Sequence, residues 1–260
     1  MYLIISGHQR SGTTLLRRLC DEHPQMKVAN EFGCFADVGL SVRQVVWARL
    51  AQWRLVNGRW AFDSAVATHP HRHWHNLRFC LNYSWQLARS GQNPVTFESI
   101  AHALARQWPE TAVVGDKLPQ YMPLLSHFLP HPTVKIVVIY RVCSDVTSSF
   151  LEKVRTVLRT REWASQLDTA EKIARNWVNQ IALMEHLAPQ IHIIQYEALV
   201  QQPEPILRAL AQWLDVDPDR FKPQMVKATS LGKYKHGLTE GELTHIWSIA
   251  GPTMERLGYS

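Results

Sequence analysis

The stretch "SGHQRSGTT" over residues 6–14 sets Gly7 and Gly12 at the spacing of a phosphate-cradling loop, between the apolar run "MYLII" and the helical "LLRRLCDEHP". Glycines at these two places let backbone N–H groups converge on an anion, and a helix starting behind them turns its positive end toward it. A nucleotide triphosphatase carries lysine directly after the second glycine, then a hydroxyl residue for Mg²⁺. Here Thr13 and Thr14 stand in those places, and the cation, Arg10, comes two residues before Gly12. That set suits one terminal anionic group gripped by an arginine, hydroxyls and backbone, without a bridging metal. Read alone, the glycine spacing also fits an incidental strand-to-helix turn.

A second candidate anion site lies in "VVIYRVCSDVTSSFLEKV", which begins as a buried strand and continues as a helix. Arg141 falls at the strand end. Asp145, Ser149 and Lys153 follow at intervals of four, so they share one helix face. Arg141 and Ser149 can therefore meet one ligand beyond the sheet edge, with Lys153 a turn further on. The same spacing also fits a solvated charged face on which Asp145 pairs locally while Arg141 caps a carbonyl.

These residues need elements to position them. Residues 2–6, 111–115, 134–140 and 191–196 are short, apolar, β-branched runs that read as buried parallel strands. Helical patterns cover 13–22, 144–158, 169–187 and 204–214, a Pro-initiated helix is expected after Lys117, and Thr239 with Glu242 gives the last helix a capping-box start. Strands alternating with helices predict an α/β fold of three layers: a mainly parallel sheet with helices on both faces. Residues 41–108 carry no clear strand. They read as a helical insertion over the carboxyl ends of the strands, where such sheets bind ligands. The whole chain, 1–260, is expected to be a single domain.

Composition narrows the classes. No stretch approaches the roughly 20 apolar residues of a membrane span, and the first residues read as a strand rather than a secretory leader. Cys20, Cys34, Cys80 and Cys143 are scattered without a C-x-x-C pair, as reduced buried thiols would be. A cytoplasmic protein is the expectation. The net charge of +6 suggests an anionic ligand, yet the basic residues stand singly or in pairs and no nucleic-acid motif accompanies them.

"RSGTTLLRRLCDEHP" resembles the phosphosulfate loop of sulfotransferases that use 3′-phosphoadenosine 5′-phosphosulfate (PAPS), closest to the tyrosylprotein and small bacterial branch. The match runs through Arg10, Ser11, Gly12, Thr13, Thr14, Leu15, Arg17, Asp21, His23 and Pro24. The resemblance implies a P-loop NTPase-like fold, and it assigns Arg10 to Leu15 to the cofactor's phosphosulfate end. It implies that Arg141 and Ser149 hold the 3′-phosphate, with Lys153 as a further basic contact. Val142 and Cys143 depart from the family's commoner Asp or Asn followed by Pro. Glu31 in "VANEFGCF" falls on the family's catalytic base, and Lys117 in "GDKLPQY" on the lysine reaching the sulfuryl and bridging oxygens, with Asp116 orienting it. "SLGKYKHGL" is similar to the loop folding over the nucleotide. It places Ser230 at the transition state and Gly232, Lys233 and Lys235 on the cofactor. Tyr196 in "YEALVQQP" is the implied cofactor contact there, with Glu197 structural.

Transfer of a sulfuryl group to a hydroxyl, in preference to an amine, is the implied reaction, with Glu31, Arg10, Lys117 and Ser230 in the catalytic roles and no metal required. A P-loop kinase, in which Asp116 ends a Walker-B-like strand and holds Mg²⁺, is the rival; a non-catalytic binder of adenine nucleotides is the other. The acceptor is left open, since 41–108 has no match. That segment carries "THPHRHWHN", with histidines at 69, 71, 73 and 75, and Trp47, Trp53, Trp60, Trp74 and Trp85 in it read as core packing.

Overall fold

The computed structural model describes residues 1–156, 162–227 and 231–260. Five strands form one parallel sheet: β1 (Tyr2–Ser6), β2 (Met26–Asn30), β3 (Val113–Lys117), β4 (Val134–Tyr140) and β5 (His192–Gln195). Their order is β2-β3-β1-β4-β5. β1 is central, with Leu3 opposite Gly115 on one side and Lys135 on the other.

Alternation along β1 builds both cores. Ile4 points into a cluster with Val114, Ile136 and Val138, while Leu3 and Ile5 point to the opposite face with Val28, Val137 and Ile139. The helices divide accordingly. α1 (Thr13–Asp21), α8 (Tyr196–Gln201) and α9 (Pro203–Leu214) cover the Leu3 face. α2 (Val42–Val56), α3 (Arg72–Arg89), α4 (Phe97–Ala105), α5 (Leu125–Phe128), α6 (Cys143–Thr156), α7 (Ala170–Leu187) and α11 (Glu240–Arg256) cover the Ile4 face. A short α10 (Tyr234–Gly237) packs against α6. The helix after β1 thus goes to one face and the helix after β4 to the other. The strand order switches between these two neighbours, and that opens a crevice at their carboxyl ends.

The structure differs from the sequence expectation at three places. A strand stands at Met26–Asn30 where none was expected. The third strand runs to Lys117, two residues beyond the expected end. After Lys117 the chain makes a 3₁₀ turn over Pro119–Leu124 rather than an immediate α-helix. Between residues 42 and 105 the regular elements are helices, joined by turns and loops, and the Thr239–Glu242 capping box is formed. Among the described residues no helix is long and apolar enough to cross a membrane.

Candidate active site

β1 ends at Ser6, and the turn behind it packs against β4. A Cβ on Gly7 would lie 2.1 Å from the Ile139 carbonyl oxygen, and one on Gly12 would lie 2.4 Å from the ring of Tyr196. Gly12 has φ 98°, the left-handed conformation that spares only glycine a penalty. Both glycines are therefore fixed by contact as well as by turn geometry. Gly12 caps α1 with no side chain bonded to the first N–H groups of that helix, so its positive end faces the crevice. Ser11 is fully buried, and its Oγ has no hydrogen-bond partner among the described residues. Thr13 is buried, Thr14 is exposed, and Leu15 packs against the core of the Leu3 face.

Arg10, with φ 72°, reaches across the crevice from this loop. Its Nε–H donates to Ser149 Oγ at 2.9 Å, so the two proposed anion sites are joined by one contact. Burial, and then Arg141 nearby, hold the Arg10 guanidinium below the ordinary arginine range. Lys153, on the same face of α6 as Ser149, is lowered by burial and then by Arg10. Three cations converge where the loop meets α6.

Arg141 is buried. It pairs with Asp145 at 2.8 Å, lies 4.6 Å over the ring of Tyr196, and donates toward the Arg10 carbonyl at 3.5 Å. Asp145 does more than balance that charge. Its carboxylate also accepts from the backbone N–H of Gly232 at 3.0 Å and of Tyr234 at 3.1 Å. Asp145 does pair locally and Arg141 does reach a carbonyl, but the pair is buried rather than on a solvated face, and Asp145 ties the C-terminal loop to Arg141. Lys233 on that loop and Lys235 in α10 are exposed, and Ser230 lies outside the described residues. Glu197 accepts from Val142 N–H at 3.0 Å and from the Tyr259 hydroxyl at 2.8 Å, the structural part expected of it.

Glu31 and Lys117 meet beside the first loop. Lys117 Nζ lies 2.6 Å from Glu31 Oε1 and 3.4 Å from Thr14 Oγ1. The lysine side chain is fully buried while Glu31 keeps 39% of its surface, so the carboxylate is the member open to an incoming molecule. Burial draws the Lys117 ammonium down from the usual lysine range, and Glu31 partly restores it. Asp116 does not orient Lys117. Its carboxylate accepts from the backbone N–H groups of Phe32 (3.2 Å), Gly33 (2.6 Å) and Cys34 (3.3 Å) and from the Tyr121 hydroxyl (2.6 Å). Burial raises it. With these donors on it, Asp116 anchors the turn that carries Glu31, and the Walker-B reading fails on the same contacts.

The sequence reading missed the other half of that anchor. Glu31 sits at φ 56°, and α2 holds the strained turn from the opposite side. Gln52 donates to the Glu31 and Phe32 carbonyls at 2.8 and 3.0 Å. Arg49 donates to the Phe32 carbonyl, pairs with Asp37 at 2.9 Å and stacks 4.9 Å over the Phe32 ring. Burial pushes Asp37 up to about 6 even with Arg49 beside it. No spacing rule links residues 17 to 21 positions apart, so only the fold could expose these contacts.

The profile of the Sulfotransferase family matches residues 3–220. The chain belongs to the sulfotransferase family. No curated protein matches it in sequence. Among solved structures it is similar to the sulfotransferase domain of the Synechococcus PCC 7002 olefin synthase, at 18% identity and TM-score 0.61, over 100% of this chain and 94% of that one. Sulfotransferase STF9 from Mycobacterium avium gives 16% identity and TM-score 0.55, covering 99% and 77%. Mouse sulfotransferase SULT7A1 complexed with PAP gives 12% and 0.53, covering 98% and 84%. These likenesses show the fold.

In this sulfotransferase several matched motif residues frame the site rather than face it. Arg17 pairs with Asp21 at 3.3 Å, and Asp21 accepts from Val28 N–H at 3.0 Å, which locks α1 to β2. His23 accepts from Gln25 N–H at 3.2 Å and bonds the Asp217 carbonyl at 2.9 Å. The histidine stretch is likewise engaged: His73 stacks on Trp53 at 4.6 Å and His69 meets His75 at 4.7 Å. The tryptophans divide. Trp53 and Trp60 pack half-buried against the core, but Trp47, Trp74 and Trp85 are exposed, contrary to the core reading.

Proposed function

We propose that this chain transfers the sulfuryl group of PAPS to a hydroxyl acceptor, with Glu31 as general base. The observation that carries the reading is the joining of two cation-lined loops at adjacent strand ends, Arg10 to Ser149, beside the Lys117–Glu31 pair. PAPS carries anions at both ends of its adenosine, and two such loops fit that demand better than a lysine-and-magnesium cradle does. The residues present fit the group. The buried, unpartnered Ser11 Oγ and the uncapped start of α1 supply donors for the sulfated end. Arg141 and Ser149 supply them for the 3′-phosphate, and the ring of Tyr196 lies between the two loops.

When bound, the donor supplies a sulfuryl group on a phosphate leaving group, displaced in line as in phosphoryl transfer. Arg10 and Lys117 hold the charge on the oxygens around the transferred group. Glu31, paired with a buried ammonium and open on its other side, receives the proton of the acceptor hydroxyl. Fixed in place by Asp116 from below and Gln52 from above, the base needs little reorganisation at the moment of reaction. Ser230 joins this set on the strength of the motif.

The test is transfer of labelled sulfate from PAPS to a panel of hydroxyl and amine acceptors by the wild type and Glu31→Gln. Loss of a positioned base lowers turnover by about 10²–10⁴-fold, with bisphosphate affinity nearly kept. A fully active Glu31→Gln protein removes Glu31 from the mechanism, and tight binding with no turnover on any acceptor favours the non-catalytic binder.

A further inference from the structure

Helices α2 and α3 present an outward surface that the site does not use. On α3, Trp74, Arg78, Leu81, Trp85 and Arg89 recur at helical spacing and all are exposed, the two tryptophans at 62% and 59%. On α2, Arg43, Trp47, Ala51 and Arg54 make a second exposed stripe, with Trp47 at 61%. Trp53 joins the helices, stacked on His73 and 6.2 Å from Trp74. The opposite faces are the buried ones: Val45, Arg49 and Val56 on α2, and Phe79, Tyr83 and Leu87 on α3. Exposed tryptophans in such number are unusual on a surface meant for water.

Charge says what covers them. Residues 38–97 hold seven arginines, no lysine and a single carboxylate, Asp63, and neither α2 nor α3 carries an acidic residue. A second copy of the chain docking through this face would set arginine against arginine, since a two-fold interface pairs a patch with itself. An anionic lipid surface meets both residue types. Indole rings settle at headgroup depth, and guanidinium groups bind phosphates. We propose that α2 and α3 dock the protein, in the plane of the interface, on a membrane bearing anionic phospholipids.

The consequence for the site is geometric. The inner face of α2 bears Arg49 and Gln52, which grip the Glu31 turn, so the membrane lies about one helix diameter, roughly 10 Å, from the turn that carries the carboxylate. Docking itself does not depend on the chemistry proposed for that carboxylate.

Cosedimentation of the full chain with vesicles of phosphatidylglycerol in phosphatidylcholine, and of phosphatidylcholine alone, tests this. The expected result is binding to the anionic vesicles only, weakened by salt. Trp47→Ser with Trp85→Ser abolishes it. Arg54→Ser with Arg78→Ser lowers the partition coefficient roughly 30-fold, at about one unit charge's worth of surface attraction each. A wild-type protein that stays in the supernatant with anionic vesicles overturns the proposal, as do variants that sediment like the wild type. A wild-type dimer that Trp47→Ser with Trp85→Ser dissociates also overturns it, by giving the face to a second copy.

Discussion

Arg10 and Ser149, 139 positions apart in the chain, are joined by a 2.9 Å hydrogen bond across the crevice between β1 and β4. One belongs to the glycine loop and the other to the first turns of α6. Their contact makes the two proposed anion sites a single continuous surface. On the proposed reading, a ligand charged at both ends would replace this bond with contacts to each residue separately.

Ser149→Ala removes the acceptor of that bond and a donor to a bound phosphate. A hydrogen bond to a charged group contributes about 1.5–3 kcal/mol, so affinity for adenosine 3′,5′-bisphosphate falls at least tenfold. Affinity for the 5′-monophosphate stays near wild type. Calorimetric titration of both nucleotides reads the difference, and equal losses would place Ser149 away from the 3′-phosphate.

Asp145→Ala removes the carboxylate paired with the buried Arg141 and frees the N–H groups of Gly232 and Tyr234. Removing one member of a buried pair costs about 3–5 kcal/mol. A lower urea midpoint and faster proteolysis near residues 231–235 are expected. Glu171→Ala, which breaks the solvent-exposed pair with Arg175, leaves the midpoint close to wild type. If the two variants unfold alike, Asp145 is not the clamp described.

Gly12→Ala forces a side chain into a left-handed conformation, at about 1–2 kcal/mol, and drives its Cβ into the Tyr196 ring. Displacing that ring also disturbs the face on which Arg141 lies. The variant should be both less stable and poorer at binding bisphosphate. A variant matching the wild type in both would refute the close approach.

Lys117 holds an anion only while protonated, and burial lowers its pKa from 10.5. Binding that uses its charge is therefore complete at lower pH and lost as pH rises through the lowered value. The loss comes earlier than an ordinary lysine would give. Glu31 opposes the shift, so Glu31→Gln moves the alkaline limb of bisphosphate affinity to lower pH. An unmoved limb would show that Lys117 does not face the ligand.

Much of this arrangement was legible in the residues. Arg10, Ser11, Arg141 and Ser149 lie on strand–loop–helix units whose local pattern is strong, and the fold brings them to one crevice. The strand at Met26–Asn30 was hidden because it is short and broken by Lys27 and Asn30, and it gains its place by pairing with β3. Asp116 read as orienting Lys117 or as a metal ligand. Inside β3 it accepts three backbone amides of the turn at 32–34, a role set by residues more than 80 positions away. The grip of Arg49 and Gln52 on the Glu31 turn was equally out of reach, since it depends on how α2 lies over the strand ends. Long-range polar contacts of this kind leave no period in the sequence.

The two-anion crevice is tested most directly by titrating the wild type and Arg141→Ala with adenosine 3′,5′-bisphosphate and adenosine 5′-monophosphate. The bisphosphate should bind the wild type at least tenfold tighter, about 1.4 kcal/mol, and Arg141→Ala should erase that preference. Equal affinity of the wild type for both nucleotides would contradict the account.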